Sequence, residues 1–133
     1  MFRSLVLGSV AFLCAAVLAT AAAASSDSAT SPSGAFSISV TYPDVIVAGT
    51  TATASEQLTN NTATPKTFTV SNTLSGSNGK TLTHTQVVTV AAFTQTFSKK
   101  ANASDVGSYT LTFTADDRSE TATALAHYSV VKR

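Results

Sequence analysis

The sequence predicts an all-β domain of seven strands, folded as a two-sheet sandwich and preceded by a cleaved signal peptide. Three observations predict it. From Ala35 onward apolar residues alternate with a period of two, and no stretch keeps a helical period. Threonine makes up about a fifth of the chain after residue 24, and its β-branched side chain favours strands. The alternating runs are short and divided by Gly, Pro, Asn and Asp turns, the rhythm of a sandwich.

The strands follow in order. The first carries Phe36, Ile38 and Val40, is interrupted at Tyr42-Pro43-Asp44, and resumes over Val45 to Val47 before the Ala48-Gly49 turn. The second spans Thr51 to Thr59, with Ala52, Ala54 and Leu58 on one face, and ends at Asn60-Asn61. The third, Lys66 to Leu74, points Phe68 and Val70 inward, and a Ser75–Lys80 turn containing Asn-Gly follows. The fourth, Thr81 to Val90, directs Leu82, Val88 and Val90 inward; the fifth, Ala92 to Ser98, directs Phe93 and Phe97. The sixth runs from Ser108 to Ala115 with Tyr109, Leu111 and Phe113 inward. The seventh, Glu120 to Val131, buries Ala122, Ala124, Tyr128 and Val130 after an Asp116-Asp117-Arg118 turn.

The N-terminus reads as an export signal. Arg3 precedes an apolar run from Leu5 to Leu18, and alanines from Ala19 to Ala24 supply small-residue cleavage sites. The expected cut follows Ala24, which makes residues 1–24 a signal peptide and the location secreted, periplasmic or extracellular. Leu13 stands where a lipoprotein signal ending at Cys14 needs a small residue. Cleavage removes Arg3 and Cys14, leaving seven basic and seven acidic side chains and no thiol. The remaining domain, residues 35–133, is expected to be held by its core alone, without a disulfide and without a membrane span. Residues 25–34, SSDSATSPSG, hold no apolar side chain larger than alanine and read as a flexible leader. That leader lacks the alternate apolar residues of a donor strand, so a monomer is expected. Net neutrality gives no electrostatic reason to seek nucleic acid or an anionic membrane.

The most specific local signal is Asp105-Val106-Gly107-Ser108-Tyr109-Thr110-Leu111. It resembles the D-x-G-x-Y-x-C segment of immunoglobulin domains, whose tyrosine hydroxyl caps a nearby backbone group. Leu111 stands in the cysteine's place, and the chain has no tryptophan. The resemblance is to the disulfide-free immunoglobulin-like domains of exported bacterial proteins. Gly49 before the second strand and Asn60 at its end add to it. It covers Phe36 to Val131, with Asp105, Gly107 and Tyr109 as the fold signature.

Chemistry is sparse. His84 and His127 lie in strands without a nucleophile motif, and two histidines alone make a poor zinc set. Asp116, Asp117 and Glu120 share one turn but lack a calcium-loop spacing. Glu56 points inward by alternation and is expected to sit in a bulge or meet a partner. Asn60 and Asn102 begin glycosylation sequons. The third, sixth and seventh strands are expected to be neighbours. Their outward Thr67, Thr69, Ser71, Thr73, Thr110, Thr112, Thr114, Thr121 and Thr123 form a flat hydroxyl face. These features point to a non-catalytic secreted binding or structural module, for adhesion, assembly or carbohydrate contact. It would have an extracellular protein or glycan as partner, no cofactor and no nucleic acid. The alternatives are recognition of ice, ordered water or glycan by the threonine face, and a small metal carrier or hydrolase using His84 or His127.

Overall fold

A computed structural model describes residues 24–133. The signal peptide and Cys14 therefore fall outside the described residues, apart from Ala24 at the expected cleavage point. The described chain is all-β, with nine strands in two sheets. They are β1 (Ala24–Thr30), β2 (Phe36–Pro43), β3 (Val45–Val47), β4 (Thr51–Asn60), β5 (Lys66–Gly76), β6 (Thr81–Val90), β7 (Ala92–Lys100), β8 (Gly107–Asp116) and β9 (Thr121–Val131). One sheet has the order β3-β9-β8-β5-β6 and the other β1-β2-β4-β7.

Two differences turn seven expected strands into nine. Pro43 and Asp44 split the first strand between the sheets: β2 pairs with β4, whereas β3 runs parallel to the end of β9. The second difference is the leader. Residues expected to be flexible form β1, antiparallel to β2 from Ala24 opposite Pro43 to Thr30 opposite Ser37. Side-chain apolarity is not required of an edge strand whose main chain finds a complementary ladder. Polar contacts add to it: Ser26 and Thr41 hydroxyls lie 3.0 Å apart, and the Ser25 hydroxyl donates to Asp44.

The core lies between the sheets. Phe36, Val40, Leu58, Phe68, Val70 and Phe113 are fully buried there. Phe36 meets Phe68 edge-on at 5.0 Å, a favoured aromatic geometry. A smaller cluster of Ile46, Ala101 and Val130 packs near a column of three tyrosines. In that column Tyr42 stacks on Tyr128 at 4.8 Å, and Tyr128 on Tyr109 at 5.1 Å. Alternation overreached at Leu82, which keeps the inward register opposite Leu74 yet is 71% exposed. It lies on edge strand β6, where the two sheets part.

Candidate functional site

The expected neighbours β5, β8 and β9 do share one sheet, so the threonines gather on its outer face. Thr73 pairs in register with Thr112, and Thr114 with both Ser71 and Thr123. The hydroxyls largely engage one another: Thr67 with Thr89 at 2.8 Å, Ser71 with Thr85 at 3.2 Å, Thr114 with Thr123 at 3.3 Å. Thr69 and Thr121 extend the same rows. The face is not uniformly hydroxyl. Exposed Val87 stands opposite Thr69 and exposed Leu125 opposite Thr112.

The turn before β8 is built around Tyr109, whose hydroxyl donates to the Asp105 carbonyl at 2.5 Å. Gly107 adopts φ +148, and a Cβ there would meet Ser77 Oγ at 2.8 Å. Gly76 opposes Tyr109 in register, and a Cβ on it would lie 2.8 Å from the ring. Bare backbone at Gly76 lets the tyrosine ring pack, and at Gly107 it lets the Ser77 side chain approach.

The histidines do not meet. His84 is on β6 and His127 on β9, with β5 and β8 between them, roughly 14 Å away by strand spacing. His127 Nδ1 lies 3.0 Å from Thr110 Oγ1, and among the described residues no carboxylate hydrogen-bonds the ring to complete a nucleophile–base–orienter set. Nor do three or more metal-ligating side chains gather anywhere among them. The acidic turn is occupied with its own backbone and neighbours. Asp117 accepts from the Ser119 and Glu120 amides, each at 2.9 Å, and pairs with Lys66 at 2.7 Å. Those contacts, led by Lys66, hold its carboxyl down at about 2. Asp116 accepts from Arg118 N and Thr121, and Glu120 binds Ser33.

Two features of the structure escaped sequence reasoning. The first is a basic end. β7 finishes at Lys99 and Lys100, and β9 runs out to Lys132 and Arg133. The turn at residues 48–50 ties these two strand ends together. Ala48 N donates to Val131 O at 2.8 Å, Gly49 N to Ala101 O at 2.7 Å, and Ala101 N to Thr50 O at 3.0 Å. All four cations are exposed, and among the described residues none is in an ion pair. A groove of about 340 Å³ lies between Gly49, Asn102, Lys132 and Arg133. Asp116, Asp117 and Glu120 occupy the opposite end of β8 and β9. Lys66 and Arg118 lie with those acids, and Asp105 lies beside Asn102 at the basic end, so the unbalanced positive charge is that of the four strand-end cations and not a general segregation. No local signal marks this, because the four residues come from strands distant in sequence.

The second feature is a buried polar pair. Glu56 on β4 is fully buried and not in a bulge; the group it meets is the Asn72 amide across the sheets, without a well-formed hydrogen bond. Its ladders to β2 and β7 run without an extra residue. Asn72 on β5 is 8% exposed, and its amide atoms also lack partners. Burial pushes the Glu56 carboxyl up to about 7, and the nearby Asn72 amide offsets part of that rise. The alternation Phe68, Val70, Asn72, Leu74 was the available signal for Asn72.

No family model matches the chain, and no curated protein matches it. Among solved structures, the fold is similar to that of a Pseudomonas fluorescens alkylpurine DNA glycosylase, AlkC, bound to DNA containing an abasic site analog. The TM-score is 0.50 and the identity 11%, over 82% of this chain and 30% of that one. The chain thus spans less than a third of the protein it resembles, and the likeness is one of fold. It corrects the expected function and its alternatives. The similarity found is to part of a DNA-bound enzyme, not to a secreted, non-catalytic module without a nucleic-acid partner.

Proposed function

We propose that this chain is an immunoglobulin-like sandwich that contacts the phosphate backbone of nucleic acid through its basic end. The convergence of the strand ends that carry Lys99, Lys100, Lys132 and Arg133 carries the reading: all four are exposed, none is in an ion pair among the described residues, and Lys132 and Arg133 line a groove there. Phosphate contacts of this kind position a protein on a duplex without reading sequence. The similarity to part of a DNA-bound protein supports it. The immunoglobulin-like architecture is supported by two packed, mainly antiparallel sheets and by the Tyr109 hydroxyl on the Asp105 backbone.

Binding of this type is salt-dependent. Four phosphate contacts on B-DNA give a log–log slope of roughly −3.6 against salt, with Kd on the order of 10⁻⁴ to 10⁻⁶ M. The test titrates a short DNA duplex at several salt concentrations against the protein and its Lys100→Gln/Lys132→Gln/Arg133→Gln variant. The expected result is a slope of roughly −0.9 in the variant, with weakening independent of duplex sequence. No binding at low salt, or equal slopes for the two proteins, overturns the proposal.

A further inference from the structure

The two sheets part along the side bounded by β6 and β7, where a cleft of about 360 Å³ opens. Its walls are Tyr42, Leu74, Phe97 and Leu111, and its lining is mainly apolar. Leu82 and His84 stand at the β6 side of the mouth, Lys99 at the β7 side. Farther along the same edge Gln86 Nε2 donates to Gln95 Oε1 at 2.6 Å, which straps β6 to β7 and limits the opening. The size falls at the small end of ligand pockets, which combine apolar walls with a few placed polar groups.

Asn72 is part of the cleft lining, and Glu56 lies behind it, close enough to Tyr42 and Asn72 to perturb the one and be perturbed by the other. All four polar atoms of the pair are buried without partners. An orphaned buried polar group costs free energy, and four together in one place are exceptional in a folded chain. Once Glu56 is ionised their inventory is asymmetric: Glu56 Oε1, Glu56 Oε2 and Asn72 Oδ1 accept, and Asn72 Nδ2 alone donates. An ammonium head has three donors and no acceptor, and so matches the three orphan acceptors. The Asn72 amide faces the Glu56 carboxyl without a well-formed hydrogen bond, so it turns to admit such a head, which takes over its favourable contact with the carboxylate.

We infer that the inter-sheet cleft is a binding site for a small arylalkylamine, with its ring between Phe97, Leu74 and Tyr42 and its ammonium on Asn72 and Glu56. This site lies on the β6–β7 side and shares only Lys99, at its mouth, with the basic end. Its occupant neutralises the carboxylate, so binding at pH 6 expels a proton from Glu56. The ring gains apolar burial, and the ammonium gains charge-assisted hydrogen bonds that water no longer supplies.

The chain contains no tryptophan, so an indole ligand is read by its own fluorescence. The probes are tryptamine, neutral indole and anionic indole-3-propionate, each titrated into the protein. Tryptamine is expected to bind at least about tenfold more tightly than indole, with proton release seen by calorimetry in two buffers at pH 6. Glu56→Gln keeps the shape and removes the charge. It should abolish the proton release and the tryptamine preference while leaving indole binding within about twofold. Equal affinity for tryptamine and indole, tighter binding of indole-3-propionate, or no binding by any of the three overturns the inference. The comparison among ligands on the unaltered protein stands even if the variant folds poorly.

Discussion

The two long sides of the sandwich are closed by different means. On one side β1 and β2 lie against β9, and the sheets are joined across the gap. Asp27 Oδ2 accepts from the Leu125 amide at 2.7 Å, and Ser33 donates its amide to Glu120 at 2.7 Å. On the other side β6 and β7 meet through Gln86 and Gln95, and beyond that strap the interior opens into the cleft. The same alternating pattern therefore has different outcomes. Phe68 in β5 is completely buried because a strand lies over it, whereas Leu82 in β6 has nothing opposite and stays exposed. An inward register is a necessary condition for burial, and the facing sheet supplies the rest.

The largest expected effect contrasts those two residues. Phe68→Ala should cost about 3–5 kcal/mol in urea unfolding, because a packed interior cannot collapse fully onto the lost ring. Leu82→Ala should stay within about 0.5 kcal/mol. Similar costs for both would mean that the β6–β7 side is closed in solution and the comparison fails.

The buried pair is sharpened by pH. The folded Glu56 carboxyl titrates near 7 and its reference value is 4.5, so the folded state holds the proton more tightly. Its contribution is complete below 4.5 and is lost as pH rises to about 7. Glu56→Leu should therefore raise stability by about 1–3 kcal/mol at pH 8 and flatten that stretch of the profile. Asp117 has the opposite sign: its contribution is present above 3.8 and lost as pH falls toward 2. The two windows do not overlap, so one unfolding profile separates them. An unchanged slope between pH 4.5 and 7 in Glu56→Leu would show that another group is responsible.

The smallest effect tests the closed side. Asp27→Ala removes the acceptor for the Leu125 amide and should cost about 1 kcal/mol. Faster hydrogen exchange at Leu125, with exchange at the β6–β7 side unchanged, is the expected readout. Undiminished protection at Leu125 would mean that β1 does not join the sheets there.

Much of the fold was legible in the residues. Alternation located the strands from Phe36 onward and Asn78-Gly79 formed the turn after β5, both local features set by β-branched side chains, period-two patterning and turn residues. The adjacency of β5, β8 and β9 is not local and was expected only from the resemblance to immunoglobulin-like domains. The candidate site was legible only in fragments. Glu56 declared itself as an inward carboxylate, but Asn72, its neighbour across the sheets, passed unremarked in an apolar strand.

By itself the sequence determined which segments extend and which side of each strand is apolar, because both depend on residues one to four positions apart. The tertiary structure decided what lies opposite each face. It gave the polar leader a strand to pair with, because an unpaired ladder on β2 accepts any backbone that fits. It left Leu82 uncovered and brought Glu56 and Asn72 together in the interior. It also gathered Lys99, Lys100, Lys132 and Arg133 at one end, since charge density depends on where strand ends converge and not on the sum along the chain.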